Sequence, residues 1–176
     1  MVVKKIIRRG TMGRTCLLIV SLCFLVSCAP TFKTVCSPVG SEKIKNSFFE
    51  ASLIPAEVNE DGTFKAFILG IKNNSKKDME IIWDKTLFIA GGETKGGFMF
   101  EGIVYTQRNN PKPPDIIFAN ATFIKEIWPN FLVEYYQGWY HNAIIAGEHG
   151  IYLTVRIDGN EINEKMIIKC NKVEVK

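Results

Sequence analysis

An alternation of apolar and polar side chains, repeating every two residues, constrains this chain more than any other feature. Residues 151–157 place an isoleucine, leucine or valine at every second position, which is the pattern of a β-strand with one buried face. Asp158-Gly159 follows, a dipeptide that accepts the positive φ angles of a two-residue hairpin turn. A second apolar run over residues 162–168 completes a predicted β-hairpin.

Comparable runs, separated by turn residues, continue through the chain from about residue 47. We predict strands over residues 48–58, 64–72, 79–84, 86–90 and 97–105. Residues 109–115 contain three prolines, which withhold backbone donors, and therefore predict a loop. We predict a strand in residues 116–136, with a short helix before Pro129 as the alternative. About seven to nine short strands with regular turn signals predict an all-β, antiparallel β-sandwich.

The N-terminal segment combines positive charge with a short apolar run. Residues 1–27 hold five of the 22 basic side chains and none of the 18 acidic side chains. The rest of the chain therefore has 17 basic and 18 acidic side chains, a net charge of −1. A nearly neutral body lacks the basic surface of a nucleic-acid binder, so we expect no nucleic-acid partner. The apolar residues 16–26 would span about 16 Å as a helix, too short to cross a bilayer. They predict a secretory signal.

The signal ends in Leu25-Val26-Ser27-Cys28. This tetrapeptide resembles the lipobox of bacterial lipoproteins, in which the cysteine is acylated with palmitate-type chains and becomes the first residue of the mature protein. The resemblance implies a lipid anchor on Cys28 at the cell envelope. Because Ala29 follows instead of aspartate, it implies the outer membrane where a cell has two. An ordinary cleaved signal with an incidental cysteine is the alternative.

The segment behind the lipobox has no clear periodicity and carries several prolines and glycines. We therefore predict three regions: a signal peptide over residues 1–27, a lipidated N-terminus and flexible tether over 28–46, and a single β-sandwich domain over 47–176. Within this domain, residues 68–75 followed by 79–83 resemble the second and third strands of immunoglobulin-like domains in envelope lipoproteins. That resemblance implies an immunoglobulin-like sandwich.

Cleavage would leave two cysteines besides Cys28, namely Cys36 and Cys170. In an oxidising compartment they could form a disulfide between the two ends of the domain. Cys170 also continues the apolar alternation of the last strand, where a free cysteine can act as a small buried hydrophobe. Both alternatives stay open at this level.

The sequence carries no motif for phosphate, metal or nucleophilic chemistry. The glycine-rich residues 91–97 lack the lysine position of a P-loop, and His141 and His149 lack the spacing of a metal site. No serine lies in a Gly-x-Ser-x-Gly motif,. We therefore expect no metal and no cofactor. A hydrolase with an unrecognised site remains an alternative to a non-catalytic protein.

Six aromatic side chains are concentrated between residues 128 and 141: Trp128, Phe131, Tyr135, Tyr136, Trp139 and Tyr140. They could fill the sandwich core, or a subset could form an exposed binding surface on a loop. Tyrosine and tryptophan suit protein interfaces and sugar stacking alike. We predict a non-catalytic protein-interaction module, with carbohydrate or peptidoglycan binding as the alternative. The expected binding surface is Tyr136, Trp139, Tyr140 and His141.

Overall fold

A computed structural model describes residues 30–38 and 40–175 of the chain. The strands are β1 (Thr31–Ser37), β2 (Glu42–Lys45), β3 (Phe49–Ala56), β4 (Ala66–Asn73), β5 (Met79–Ile81), β6 (Leu87–Ala90), β7 (Glu93–Thr94), β8 (Phe98–Met99), β9 (Asp115–Ile117), β10 (Thr122–Pro129), β11 (Val133–Tyr135), β12 (Trp139–His141), β13 (Gly147–Ile157) and β14 (Asn160–Val175). Three-residue 3-10 turns cover Trp83–Lys85, Tyr105–Gln107 and Asn130–Leu132. None of the helical segments described is long and apolar enough to cross a membrane. The lipobox and Cys28 lie outside the described residues.

The strands form two main sheets that pack as a sandwich. One sheet has the order β2-β3-β4-β10-β8. The other has the order β1-β14-β13-β5-β9, with β6 paired to β13 and β7 paired to β6. The β3-β4-β10 and β5-β13-β14 groups are antiparallel and follow the A-B-E and C-F-G order of immunoglobulin-like sandwiches. The predicted all-β antiparallel sandwich is confirmed.

The core lies between the inner faces of the two sheets. Along β4, Phe67 and Leu69 are fully buried, and Leu153 and Val155 on β13 are fully buried on the opposite sheet. The alternation that predicted strands thus marks the inward positions. Burial of these side chains supplies most of the driving force for folding, because each removes apolar surface from water.

The predicted hairpin at Asp158-Gly159 is present. Both residues have positive φ angles, 51° and 81°, as a type I′ turn requires. Ile157 pairs with Asn160 across this turn, and the ladder continues to Gly147 opposite Cys170. β13 therefore begins earlier than the apolar alternation indicated, because backbone pairing with β14 extends it.

The flexible tether predicted over residues 28–46 is wrong for the part that the structure describes. β2 pairs with β3 and β1 pairs with β14, so most of residues 31–45 are strands. The backbone N–H of Thr34 also donates to the carbonyl oxygen of Asp61 at 2.6 Å. These strands have weak alternation because they lie at sheet edges, where side chains stay largely exposed. β1 pairs with β14 at the other end of the chain, and the four residues of β2 are too few to show a clear alternation.

Residues 97–105 also differ from the predicted strand. Only Phe98–Met99 is a strand, β8, which pairs with the end of β10. The chain then turns at Gly102, whose φ is 90°. Within residues 116–136 the predicted strand is present as β10, whereas the short helix considered before Pro129 is absent, because residues 122–129 are extended and the 3-10 turn Asn130–Leu132 begins only after Pro129.

Candidate functional site

The aromatic segment folds as a short β-hairpin. Strands β11 and β12 pair with each other, with Tyr135 opposite Trp139 and Val133 opposite His141. The turn uses Gln137 and Gly138, both with positive φ angles. The prediction that residues 139–141 lie on a loop is wrong. Three-residue strands offer too few positions for alternation to be recognised, so only the pairing defines them.

The side chains of this hairpin face solvent to a large degree. Tyr136 is 82% exposed, Tyr140 57% and Trp139 49%. Phe131 and Tyr135 are exposed as well, whereas Trp128 is half-buried. The alternative in which most of this cluster fills the sandwich core is therefore wrong. The expected exposed aromatic surface is present as a structural feature.

Strand geometry divides the four expected surface residues. Successive side chains of a strand point to opposite faces, so Trp139 and His141 share one face of β12 and Tyr140 lies on the other. Tyr136 sits at the turn between the strands. The structure thus brings Trp139 and His141 together and places Tyr140 on a separate face of the same hairpin.

Trp139 belongs to a cluster of three aromatic rings. Its ring centroid lies 5.3 Å from that of Tyr105 and 6.0 Å from that of Tyr135. Both pairs have the edge-to-face geometry that aromatic quadrupoles favour. The guanidinium of Arg108 lies 4.0 Å from the centroid of the Tyr105 ring. Nothing in the sequence indicated that Tyr105 belongs to this cluster, because Tyr105 precedes the aromatic segment by more than 20 residues.

His141 contacts a second group, on the outer face of β10. Its ring lies 5.2 Å from that of Trp128. The indole Nε1 of Trp128 donates to Oε1 of Glu57 at 3.0 Å, and Oε2 of Glu57 lies 3.8 Å from Nδ1 of His141. Glu57 has a φ of 50°, which is uncommon for a residue other than glycine. The carboxylate of Glu57 thus connects strand β10 to the hairpin.

Glu126 lies two residues before Trp128 on the same face of β10. Burial and the nearby Glu57 carboxylate raise the pKa of Glu126, while His141 acts in the opposite direction. Glu57 and Glu126 thus bring two carboxyl groups near each other on this side of the hairpin. No sequence signal linked Glu57 to this site, because it lies 71 residues from Trp128 in the chain.

A cavity of about 280 Å³ opens between the hairpin, the end of β10 and residues 99–103. Its lining includes Phe100, Glu101, Trp128, Trp139 and His141. Cavities that bind small ligands are mostly apolar with a few polar groups at fixed positions. This cavity has that composition, with two indole rings, one carboxylate and one imidazole.

The remaining candidate residues lie elsewhere. Cys36 and Cys170 are joined by a disulfide between β1 and β14, with Cα atoms 3.9 Å apart. His149 lies on β13, stacked on Phe88 at 6.1 Å. Among the residues described, no group of three or more His, Cys, Asp or Glu side chains could hold a metal ion.

The described residues thus form a β-sandwich that presents an aromatic hairpin beside a small cavity. The chain matches no model of a known protein family and has no significant match among curated proteins.

Proposed function

We propose that this protein is a membrane-anchored envelope lipoprotein whose β-sandwich acts as a non-catalytic protein-interaction module. The observation that carries the binding role is the exposed hairpin, with Tyr136, Trp139 and Tyr140 all about half or more accessible to solvent. Exposed aromatic side chains grouped on one element are enriched at protein interfaces. They supply a large contact area at a low cost in side-chain entropy.

The anchor is supported by the sequence alone. A basic segment, a short apolar run and Leu25-Val26-Ser27-Cys28 occur in the order typical of lipoprotein signals,. Acyl chains on Cys28 would add about 0.8 kcal/mol of membrane affinity for each buried methylene. With more than one chain attached, membrane association would be stable.

The anchor is tested by the variant Cys28→Ser in a bacterial host that processes lipoproteins. We expect the wild-type protein in the membrane fraction with an acylated Cys28 in mass spectra, and the variant as an unprocessed precursor or a released protein. An unmodified mature N-terminus at another residue would show that the anchor does not exist.

The binding role is tested by photo-cross-linking in the same host. A photoreactive phenylalanine derivative replaces Tyr136 or Tyr140, and a matched control replaces Tyr152, which lies on β13 and is 36% exposed. We expect one protein to cross-link from both hairpin positions and not from Tyr152. The double variant Tyr136→Ala/Tyr140→Ala should lose that partner and keep its melting temperature, since both side chains contribute little to the core. Equal cross-linking from all three positions would contradict a specific surface.

Carbohydrate binding is a second candidate, favoured by one observation. The rings of Trp128 and Trp139 both line the cavity, and indole faces can stack on sugar rings. Ligand binding raises the apparent stability of a protein by mass action. A rise in melting temperature with peptidoglycan fragments, lost in Trp139→Ala, would support this candidate over a protein partner.

A further inference from the structure

We propose that the cavity beneath the hairpin binds one positively charged side chain, a lysine or an arginine, of the protein partner. The proposal rests on the proposed function, because the partner supplies the side chain. It adds the chemical class of the group that is recognised. Three features of the described residues support it: the aromatic walls, the charge around the cavity and the size of the cavity.

Aromatic rings form most of the wall. Phe100, Trp128 and Trp139 line the cavity, and a cation over an aromatic face is attracted by the ring quadrupole, most strongly for tryptophan. An aliphatic lysine or arginine stem also fits an apolar wall, since these side chains bury their methylenes and keep the charged end near polar groups.

The charge around the cavity is negative. Glu101 lines it, and Glu57 contacts both Trp128 and His141 of its wall. None of the lining residues that the structure describes is a lysine or an arginine. A cation entering this cavity would meet the carboxylate of Glu101, with Glu57 behind Trp128 and His141, and no lysine or arginine in the described wall.

The neighbouring basic groups already have partners. Lys125 lies 4.1 Å from the centroid of the Phe100 ring and forms an ion pair with Asp115. Arg108 is stacked on Tyr105. Both contacts show that this end of the molecule accommodates cations on aromatic rings with a carboxylate or carbonyl nearby. Because Lys125 already lies over the ring of Phe100, the proposal rests on the rings of Trp128 and Trp139 in the cavity wall.

The size of the cavity favours one side chain over a longer ligand. Its volume of about 280 Å³ lies just below the range of roughly 300–1,000 Å³ for sites that enclose drug-sized molecules. A pocket that receives one anchor side chain near the centre of an interface is the usual form of a binding hot spot.

The test is an NMR titration of the full chain in detergent micelles, following the indole N–H signals of Trp128 and Trp139. The probes are the capped tripeptide Gly-Arg-Gly, its neutral isostere Gly-citrulline-Gly, and a trimer of N-acetylglucosamine. We expect saturable shifts with the arginine peptide, with a Kd of about 1 mM. The citrulline peptide should bind roughly tenfold more weakly, because it lacks the charge.

Two variants test the carboxylates. Glu101→Gln and Glu57→Gln keep an acceptor oxygen, so the hydrogen bond from Trp128 to residue 57 can persist. Each should weaken binding of the arginine peptide severalfold. The matched control Glu60→Gln changes an exposed carboxylate in the turn after β3 and should leave the affinity unchanged.

The outcomes separate this proposal from the proposed function. Equal binding of the arginine and citrulline peptides, no shift with either, or shifts with the sugar trimer alone would each overturn the cation site. If the hairpin cross-links to a partner while the cavity does not bind the arginine peptide, the proposed interaction module is supported and only the cation site is contradicted. If the hairpin gives no specific cross-link and the cavity does not bind the arginine peptide, the proposed binding function is contradicted as well.

Discussion

At the scale of single residues, His149 shows how burial sets a protonation state. Its ring is half-buried against Phe88, Nε2 lies 2.9 Å from the carbonyl oxygen of Ile145, and Nδ1 is buried without a hydrogen-bond partner among the described residues. Desolvation lowers the pKa of His149, and the contact with Ile145 acts in the opposite direction. A proton on Nδ1 would place an unpaired charged donor in an apolar environment.

We therefore predict that His149 makes folding stability depend on pH. Because the folded pKa lies below the ordinary value of 6.5, the unfolded chain binds more protons near that pH. The free energy of unfolding is then fully retained above pH 6.5 and falls as the pH decreases below it. Urea denaturation at several pH values between about 7.5 and 5.5 measures how the free energy of unfolding depends on pH. This pH interval lies above the range in which ordinary carboxylates titrate.

The variant His149→Gln removes the titrating group and should flatten the slope. His141→Gln is the matched control, since it removes the other histidine and leaves His149 in place. An unchanged slope in His149→Gln would mean that other groups cause the pH dependence.

At the scale of elements, the turn between β3 and β4 holds the first strand. Gly62 has a φ of 79°, and a Cβ atom there would collide with the carbonyl oxygen of Thr34 on β1. The same turn accepts the hydrogen bond from the Thr34 N–H at the carbonyl oxygen of Asp61. The glycine therefore allows two backbones to approach closely.

We predict that Gly62→Ala destabilises the protein more than Gly159→Ala does. Gly159 has a similar φ of 81° but nothing within 4 Å of its Cβ position, so both variants carry the cost of a left-handed alanine, about 1 kcal/mol. Only Gly62→Ala must also displace β1. Hydrogen exchange should show lost protection of residues 32–36 in Gly62→Ala alone, and equal behaviour of the two variants would argue against the contact.

At the scale of the whole molecule, the Cys36–Cys170 disulfide joins positions 134 residues apart in sequence. It links β1 to β14 and so encloses nearly the entire sandwich within one covalent loop. Cross-linking of this kind stabilises mainly by restricting the unfolded chain, with about 5 kcal/mol as an upper figure for a loop of this length. Cys170 is buried at 2% exposure, as the apolar alternation of β14 predicted, but the alternative of a free cysteine is wrong because its sulfur is bonded to Cys36.

We predict that reducing agent lowers the free energy of unfolding by several kcal/mol, toward about 5 kcal/mol at most. Denaturant titrations with and without reductant measure the difference on the same sequence. The double variant Cys36→Ala/Cys170→Ala is the control and should be insensitive to reductant. A reductant effect that persists in this variant would trace to other cysteines.

The sequence predicted the elements whose signal is local. The β13–β14 hairpin was recognisable because its strands are long enough to repeat the alternation and because Asp158-Gly159 suits only a few turn types. The core positions of β4 and β13 followed from the same period, since alternate side chains of a strand share a face. Hydrophobic burial acts on each strand separately, so this information survives in the sequence.

Only the tertiary structure decided what depends on contacts between distant residues. The edge strand β1 exists because the distant strand β14 pairs with it, and its largely exposed side chains carry only a weak alternation. The aromatic residues 128–141 were visible in the sequence, but their division between two faces of a hairpin required the β11–β12 pairing. The position of Glu57 beside Trp128 and His141 arises because β3 and β10 both flank β4 in one sheet. Backbone pairing is nearly independent of side-chain identity at such positions. The amino-acid sequence by itself therefore determined the β-sandwich and its core residues. The cavity depends on contacts between distant residues, so only the tertiary structure decided it.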